Sequence, residues 1–167
     1  MGAVAPGLEI LAELRAGNPA TALSGIRQML SLTVDREPLL GGAEVSETTA
    51  AWVPRLRRIA RAKLSLWGLP SVIDSSLLLI SELVTNGLRY GADQQIAFRM
   101  VLVGDFLVVE VEDGSPTRPS IRAADSDAES GRGLLLVDAL ADDWGVSQDG
   151  TRTWCAARVP TDGELMP

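Results

Sequence analysis

The chain contains no histidine and only one cysteine, Cys155, among its 167 residues. Without histidine, zinc sites, His-based catalytic triads and phosphohistidine chemistry on this chain are excluded or nearly so. A single cysteine cannot close an internal disulfide. Several classes of enzyme are therefore removed from consideration.

Positive charge is scarce, with 15 Lys and Arg residues against 22 Asp and Glu, a formal net charge of -7 and a pI of about 4.6. A surface for nucleic acid or for an anionic membrane needs a basic patch that displaces counterions. We interpret the arginine-rich stretch 55–61 as a solvated helix face or, alternatively, as a local contact for a protein partner. No direct binding of nucleic acid or membrane is expected.

Long hydrophobic runs are absent, and none is longer than the four residues of the run over 77–80. A bilayer span needs about 20 apolar residues. The first residues carry no positive charge ahead of a long apolar core, which a secretory signal requires. We therefore expect a cytoplasmic protein. The 46% apolar content suits one domain with a single core.

The first part of the chain is the least informative. Residues 8–16 and 20–32 are predicted to form two short helices, separated by a Gly-Asn-Pro break. We divide the chain into an N-terminal extension over 1–45, helical or partly disordered, a domain over 46–160 and a C-terminal tail over 161–167.

Two longer helical patterns follow this extension. Apolar residues at three and four spacing predict a helix over 53–66. Ser71 and Asp74 predict a capping-box start for a second helix over 72–90, which Gly91 ends. The second helix is apolar nearly all round, so a polar side chain in it is expected to face a cavity, a cation or a partner.

Two hairpins are predicted in the second half of the chain. Strands over 95–103 and 106–112 are joined at Gly104-Asp105, and strands over 144–147 and 151–159 are joined at Asp149-Gly150. Between the hairpins, a polar segment over 114–130 is predicted to be a lid-like loop. A helix over 134–141 then follows the Gly131-Arg132-Gly133 sequence. This order of elements predicts a sheet covered by helices on one face.

Three polar features stand in a fixed order. Glu82 and Asn86 lie four positions apart on the long helix, Asp113 ends a strand, and residues 131–133 precede a helix. Alone, each has an ordinary explanation: a solvated helix face, a turn residue and a flexible loop. Together they suit a nucleoside triphosphate, which needs an acceptor for its base, an oxygen ligand for Mg²⁺ and backbone N–H groups for its phosphates.

The segments SELVTNGLRYG, VEDGSP and GRGLLLVDALADDWGV resemble the N, G1 and G2 boxes of the GHKL superfamily of gyrase, Hsp90, histidine-kinase and MutL ATPases. Over residues 50–159 the chain is most similar to the single-domain bacterial anti-sigma-factor serine kinases, which have a histidine kinase-like ATPase domain. The resemblance implies an α/β (α+β) two-layer sandwich of the Bergerat type that binds ATP. Its sheet would be mixed but mainly antiparallel, with helices on one face and a left-handed crossover.

The resemblance also implies roles for individual residues. Glu82 would be the general base, Asn86 would hold Mg²⁺, and Asp113 would accept a hydrogen bond from the adenine amino group. The phosphates would be bound at the start of the next helix by Gly131, Arg132, Gly133 and Leu134.

The sequence departs from the family pattern at several positions. Ser115 and Thr117 stand where the G1 box has glycines, which puts the motion of the lid or its closure over the phosphates in doubt. Tyr90 replaces a frequent histidine, and Gly87 replaces a frequent alanine. In the stretch 150–154, either threonine could be the one that reaches adenine.

Three functions stay open from the sequence. The first is an ATP-dependent protein serine/threonine kinase that phosphorylates an antagonist protein and so controls a sigma factor by partner switching. The second is a degenerate nucleotide-sensing module with little or no turnover. The third is a scaffold that has lost nucleotide binding. Analogy with small relatives adds a homodimer as one arrangement.

Overall fold

The structure is a computed structural model that describes residues 7–37, 44–116 and 129–160, with the backbone alone in 129–132. The tail over 161–167 lies outside the described residues. Along the chain the elements are α1 (Leu8–Arg15), β1 (Ile26–Asp35), α2 (Glu47–Ala50), α3 (Trp52–Leu66), α4 (Ile73–Tyr90), β2 (Gln95–Val103), β3 (Phe106–Glu112), α5 (Glu129–Leu140), β4 (Asp143–Val146) and β5 (Arg152–Arg158), with short 3₁₀ turns at Ala20–Ala22 and Pro70–Val72.

The five strands form one sheet in the order β1-β2-β3-β5-β4, and each neighbouring pair is antiparallel. Both predicted hairpins are confirmed, and the strands of the first one match the predicted bounds. Gly104 begins the β2–β3 turn with φ +54°, a conformation that glycine adopts without steric cost. An antiparallel sheet with a helix layer confirms the predicted fold class.

The main core lies between the sheet and the helices α3, α4 and α5. Side chains of β3 alternate between the two faces of the sheet, and those that face this helix layer are buried: Leu107, Val109 and Val111. The predicted apolar stripe of α4 packs against them and is also buried: Ile73, Leu77, Ile80 and Val84. Burying side chains of this size contributes roughly 1.5–3 kcal/mol each, so α4 is the central helix of the domain.

Helix α4 with the turn before it, Pro70–Tyr90, is also long and apolar enough to cross a bilayer by length and composition. Half of its most apolar window is buried inside the fold. Because core helices pass the same test, this is no clear membrane span. The described residues contain no other helix that meets the criterion.

The start of α4 differs from the prediction. Ser71 lies in the 3₁₀ turn that Pro70 begins, and no side chain caps the helix at Val72. The hydroxyl of Ser75 donates to the Val72 carbonyl instead, at 3.2 Å. The predicted capping box of Ser71 and Asp74 is therefore wrong, because the preceding turn already places the chain for the helix.

The prediction of a helix over 20–32 is also wrong. Residues 26–35 form β1, which pairs with β2 at the edge of the sheet. Leu30 and Leu32 pack against the main core and Val34 is buried in it. The sheet therefore begins within the stretch assigned to an N-terminal extension, and whether residues 1–45 have a separate role stays a prediction.

The other face of the sheet carries a second, smaller core. It is formed by α1 and the Ala20–Ala22 turn against outward-facing strand residues, among them Val101, Phe106, Val108 and Trp154. Glu110 is buried here, accepting from the Ala20 N–H at 2.9 Å and pairing with Arg99 at 2.7 Å. The first part of the chain is therefore attached to both the edge and the outer face of the sheet.

Candidate functional site

Helix α4 places Glu82 and Asn86 one turn apart on the side away from its buried stripe. Both side chains are half-buried. Within the described residues, neither makes a side-chain hydrogen bond or ion pair. Their oxygens are therefore available to a ligand, which would supply the partners that polar side chains need when they are buried.

Helix α5 approaches α4 at Glu82. A Cβ at Gly133 would collide with Oε2 of Glu82, so the glycine allows the two helices this contact. The following residue, Leu134, is buried at 2% exposure. Two of the three predicted polar features thus meet in the structure, and the descriptions of Gly131 and Arg132 extend to the backbone only.

The start of α5 differs from the prediction. The helix begins at Glu129, so Gly131-Arg132-Gly133 lies inside its first turns and not ahead of them. A helix leaves only its first four N–H groups without an intrahelical partner. In this conformation the N–H groups of Gly133 and Leu134 are paired within the helix, and their role in phosphate binding stays a prediction.

Asp113 follows β3 and lies against the other end of α4. A Cβ at Gly91 would stand 3.1 Å from the Asp113 Cβ, and one at Gly87 would stand 3.8 Å from it. The Asp113 carbonyl accepts from the N–H groups of Ala92 and Asp93 at 2.9 and 3.1 Å. The main chain therefore fixes this aspartate against the helix that carries Glu82 and Asn86.

The electrostatic setting of Asp113 is unusual. Burial raises its pKa to about 6, and the nearby charge of Asp93 acts in the same direction. The Ser115 N–H, which donates to Oδ1 at 2.9 Å, and the charge of Arg36 oppose this rise. The carboxyl is therefore mostly ionised at neutral pH although its surroundings favour the neutral form.

These geometries can be compared with known proteins. The sequence model of the histidine kinase-like ATPase domain matches residues 46–157, more than half of the chain. The protein belongs to this ATPase-domain family. A search of curated proteins gives no match. Membership implies ATP binding, usually with Mg²⁺, and confirms the predicted superfamily.

Gly87 has a structural explanation in this ATPase domain. A Cβ at this position would stand 2.8 Å from Cγ1 of Val111, well inside van der Waals contact. Glycine within a helix costs about 1 kcal/mol relative to alanine. The close packing of α4 on β3 therefore accounts for the departure at Gly87, whereas nothing in the structure explains Tyr90.

The two threonines near the C-terminus of the domain, Thr151 and Thr153, make different contacts in the structure. The Thr151 hydroxyl donates to Asp149 at 2.8 Å. Thr153 pairs with Val111 across β3 and β5, so it faces the helix layer beside Gly87. Within the described residues its hydroxyl has no hydrogen-bond partner. Thr153 is therefore the better placed of the two to reach a ligand beside Asp113.

The segment after Asp113 is held closely. Ser115 is buried, and Gly114 adopts φ +70° with its Cα against the Asp93 carboxylate. The Pro116 carbonyl lies 2.6 Å from where a Cβ on Gly150 would stand, so the β4–β5 turn packs on this segment. The predicted lid-like loop is described only to Pro116, and Thr117 lies outside the described residues.

The oxygens at the site fit magnesium. Mg²⁺ takes hard oxygen ligands and usually keeps several waters and substrate phosphates, so one or two protein oxygens suffice. Asn86 and Glu82 offer a carboxamide and a carboxylate oxygen without partners among the described residues. A site made of three or more His, Cys, Asp or Glu side chains does not occur in that part of the chain.

Three cavities found among the described residues do not include Glu82, Asn86 or Asp113. They measure about 490 to 550 Å³ and are lined by residues of α2, α3, α4, β1, β2 and β3 and of the connections between them. The position of the nucleotide at Glu82, Asn86 and Asp113 stays a prediction. Residues 117–128 of the predicted lid-like loop over 114–130 lie outside the described residues.

Proposed function

We propose that this protein is an ATP-binding regulator that acts as a protein serine/threonine kinase and controls transcription by partner switching. The substrate would be an antagonist protein, and the controlled partner a sigma factor. The observation that carries the proposal is the pair Glu82 and Asn86, half-buried, one turn apart and without partners in the described part of the chain. The motif resemblance to anti-sigma-factor kinases supplies the partner class.

The proposed roles are those that the family resemblance implies, and they suit phosphoryl transfer, which needs mainly positioning and neutralisation of charge. The Glu82 carboxylate would orient the serine or threonine hydroxyl of the partner and accept its proton at Oε1 or Oε2. The Asn86 amide oxygen would hold Mg²⁺, which neutralises phosphate charge when bound. Asp113 would accept a hydrogen bond from the adenine amino group.

The acceptor of the phosphoryl group would lie on another chain. This protein has no histidine, so it cannot carry the phosphohistidine of a histidine kinase. Its net charge of -7 disfavours direct contact with DNA and suits control through a protein partner.

The test is transfer from labelled ATP to a panel of candidate antagonist proteins. Wild type is compared with Glu82→Gln and Asn86→Ala, and with Asp74→Asn as a matched control. Asp74 is on the same helix, and its side chain is 95% exposed. We expect transfer by wild type and the control, with a loss of at least about 100-fold in Glu82→Gln. Equal transfer by Glu82→Gln and wild type would refute the assigned role.

A second candidate is a nucleotide-sensing module that binds ATP with little turnover. It is favoured by the segment after Asp113, where Ser115 is buried and bonded to Asp113 in place of a permissive glycine. Wild type that binds Mg-ATP but transfers nothing to any candidate, with no Glu82-dependent hydrolysis, would support this module over the kinase.

A further inference from the structure

Arg36 joins the end of β1 to the end of α4. Its Nε donates to the Leu88 carbonyl at 2.9 Å, and its Nη1 donates to the Asp93 carbonyl at 3.0 Å. Its own N–H donates to the Gln94 carbonyl at 2.7 Å. One half-buried side chain thus bonds the last turn of α4 and the connection from α4 to β2.

That connection is the segment that seats Asp113. The N–H groups of Ala92 and Asp93 both donate to the Asp113 carbonyl, and Gly91 packs against its Cβ. A shift of residues 91–94 would therefore move the Asp113 carboxylate relative to α4. Arg36, the residue that follows β1, fixes this segment through those hydrogen bonds.

Arg36 also acts through its charge. The positive guanidinium favours the ionised form of Asp113, whereas the carboxylate of Asp93 opposes it. These two side chains are the charged groups that face Asp113 from β1 and from the α4–β2 connection. An acceptor for an amino group must stay unprotonated to use all its lone pairs.

We propose that Arg36 is a positioning residue of the nucleotide site, which seats the Asp113 carboxylate against α4 and supplies the positive charge opposite it. Arg36 lies outside residues 46–157, the part of the chain that matches the ATPase family. The inference rests on the proposed role of Asp113 in binding adenine. It makes the residue that follows the first strand a contributor to the site.

The first experiment needs no nucleotide. The Asp113 carboxyl is titrated by carbon NMR in wild type, Arg36→Gln, Arg36→Lys and Arg89→Gln, with the signal assigned by its loss in Asp113→Asn. Arg89 is an exposed cation in the last turn of α4 and serves as the charge-matched control. We expect the titration midpoint of Asp113 to be higher in Arg36→Gln than in wild type. It should change less in Arg36→Lys and not at all in Arg89→Gln.

The second experiment measures the Kd of Mg-ATP against pH for the same variants. If the midpoint rises by one unit, the fraction of ionised Asp113 falls about threefold at about pH 6.5 and hardly at all at about pH 8. The loss of affinity in Arg36→Gln should therefore be several-fold larger at the lower pH. Arg36→Lys should recover part of the lost affinity, because lysine restores the charge but not the two hydrogen bonds to the carbonyls of Leu88 and Asp93.

The outcomes separate the two proposals. An unchanged affinity for Mg-ATP in Arg36→Gln would overturn the seating of Asp113 by Arg36, and an unchanged midpoint, or an affinity loss that is the same at every pH, would overturn its charge effect on Asp113. A raised midpoint together with no ATP binding by wild type would overturn the proposed function but not the effect of Arg36 on Asp113. If Arg36→Gln does not fold, as judged by its thermal melt, the comparison of Arg36→Lys with Arg89→Gln decides.

Discussion

Replacing Asp113 by asparagine tests whether the site keeps a charged side chain at the expense of stability. Asparagine has nearly the same size, and its Oδ1 can still accept from the Ser115 N–H, a bond of 2.9 Å in the structure. The substitution therefore removes the charge and changes little else. We expect the variant to be more stable than wild type at neutral pH and to lose affinity for ATP.

The size of the gain follows from the pKa of Asp113, which burial raises from 3.8 to about 6. A shift of about two units corresponds to about 3 kcal/mol of differential interaction between the two protonation states. Because the side chain is only half-buried, screening by solvent reduces this to about 1–2 kcal/mol. For a chain of this length, that is an increase in Tm of roughly 3–6 °C.

The sign depends on pH in a defined way. The pKa of Asp113 is higher in the folded state than in the unfolded state, so its contribution to stability is fully present below the unfolded value of 3.8. That contribution is lost as the pH rises through about 6. The ionised Asp113 therefore lowers the stability of wild type most above about pH 7. The difference in stability between Asp113→Asn and wild type should vanish below about pH 4.

Calorimetric melts at about pH 8 and about pH 4, with and without Mg-ATP, measure both effects. Asp149→Asn is a control of opposite sign, because hydrogen bonds from Ser147 and Thr151 lower the pKa of Asp149 to about 2. Its contribution is present above the unfolded pKa, so that variant should melt lower at neutral pH. The reasoning would be refuted if Asp113→Asn were no more stable than wild type at about pH 8. It would also be refuted if the substitution shifted Tm equally at both pH values.

Three further substitutions test contacts of the fold and the site. Gly133→Ala would displace Glu82 or α5, so Glu82-dependent turnover should fall at least about tenfold with little change in Tm. Gly87→Ala should lower the free energy of unfolding in urea by about 1 kcal/mol or more, because the clash with Val111 outweighs the gain in helix propensity. Glu110→Ala removes one of the two carboxylates that pair with Arg99 and leaves the Ala20 N–H without its acceptor, so it should cost about 1–3 kcal/mol in the same assay. An unchanged or higher stability in either urea experiment, or unchanged turnover in Gly133→Ala, would contradict the contact concerned.

The sequence predicted best the elements whose signals are local. The strands β2 and β3 were predicted to the residue, since alternation and a Gly-Asp turn specify a hairpin without reference to the rest of the chain. The long helix α4 was predicted within one residue at its start for a similar reason. Its apolar period is continuous over five turns, whereas its capping depends on the turn before it.

Strand β1 was missed although its sequence carries a signal. Leu30, Leu32 and Val34 alternate and face the core, but the preceding Met29 is also apolar and is 50% exposed, so the alternation is not clean and a helix was predicted instead. The strand is decided by its pairing with β2, about 60 residues away, which no local pattern contains. Long-range pairing thus determined both the type of this element and its membership of the sheet.

The candidate site shows the same division between local and long-range information. Motif order predicted that α4, the end of β3 and the start of α5 belong together, and the structure brings Glu82 to Gly133 and Asp113 to the other end of α4. A nearby cation favours the ionised form of a half-buried carboxylate, and among the described side chains of the motifs no cation acts on Asp113. Arg36 supplies a cation from the end of β1, before the matched region. The charge balance of the site is therefore a property of the whole sheet, because strand order, and not sequence proximity, places this arginine beside the aspartate.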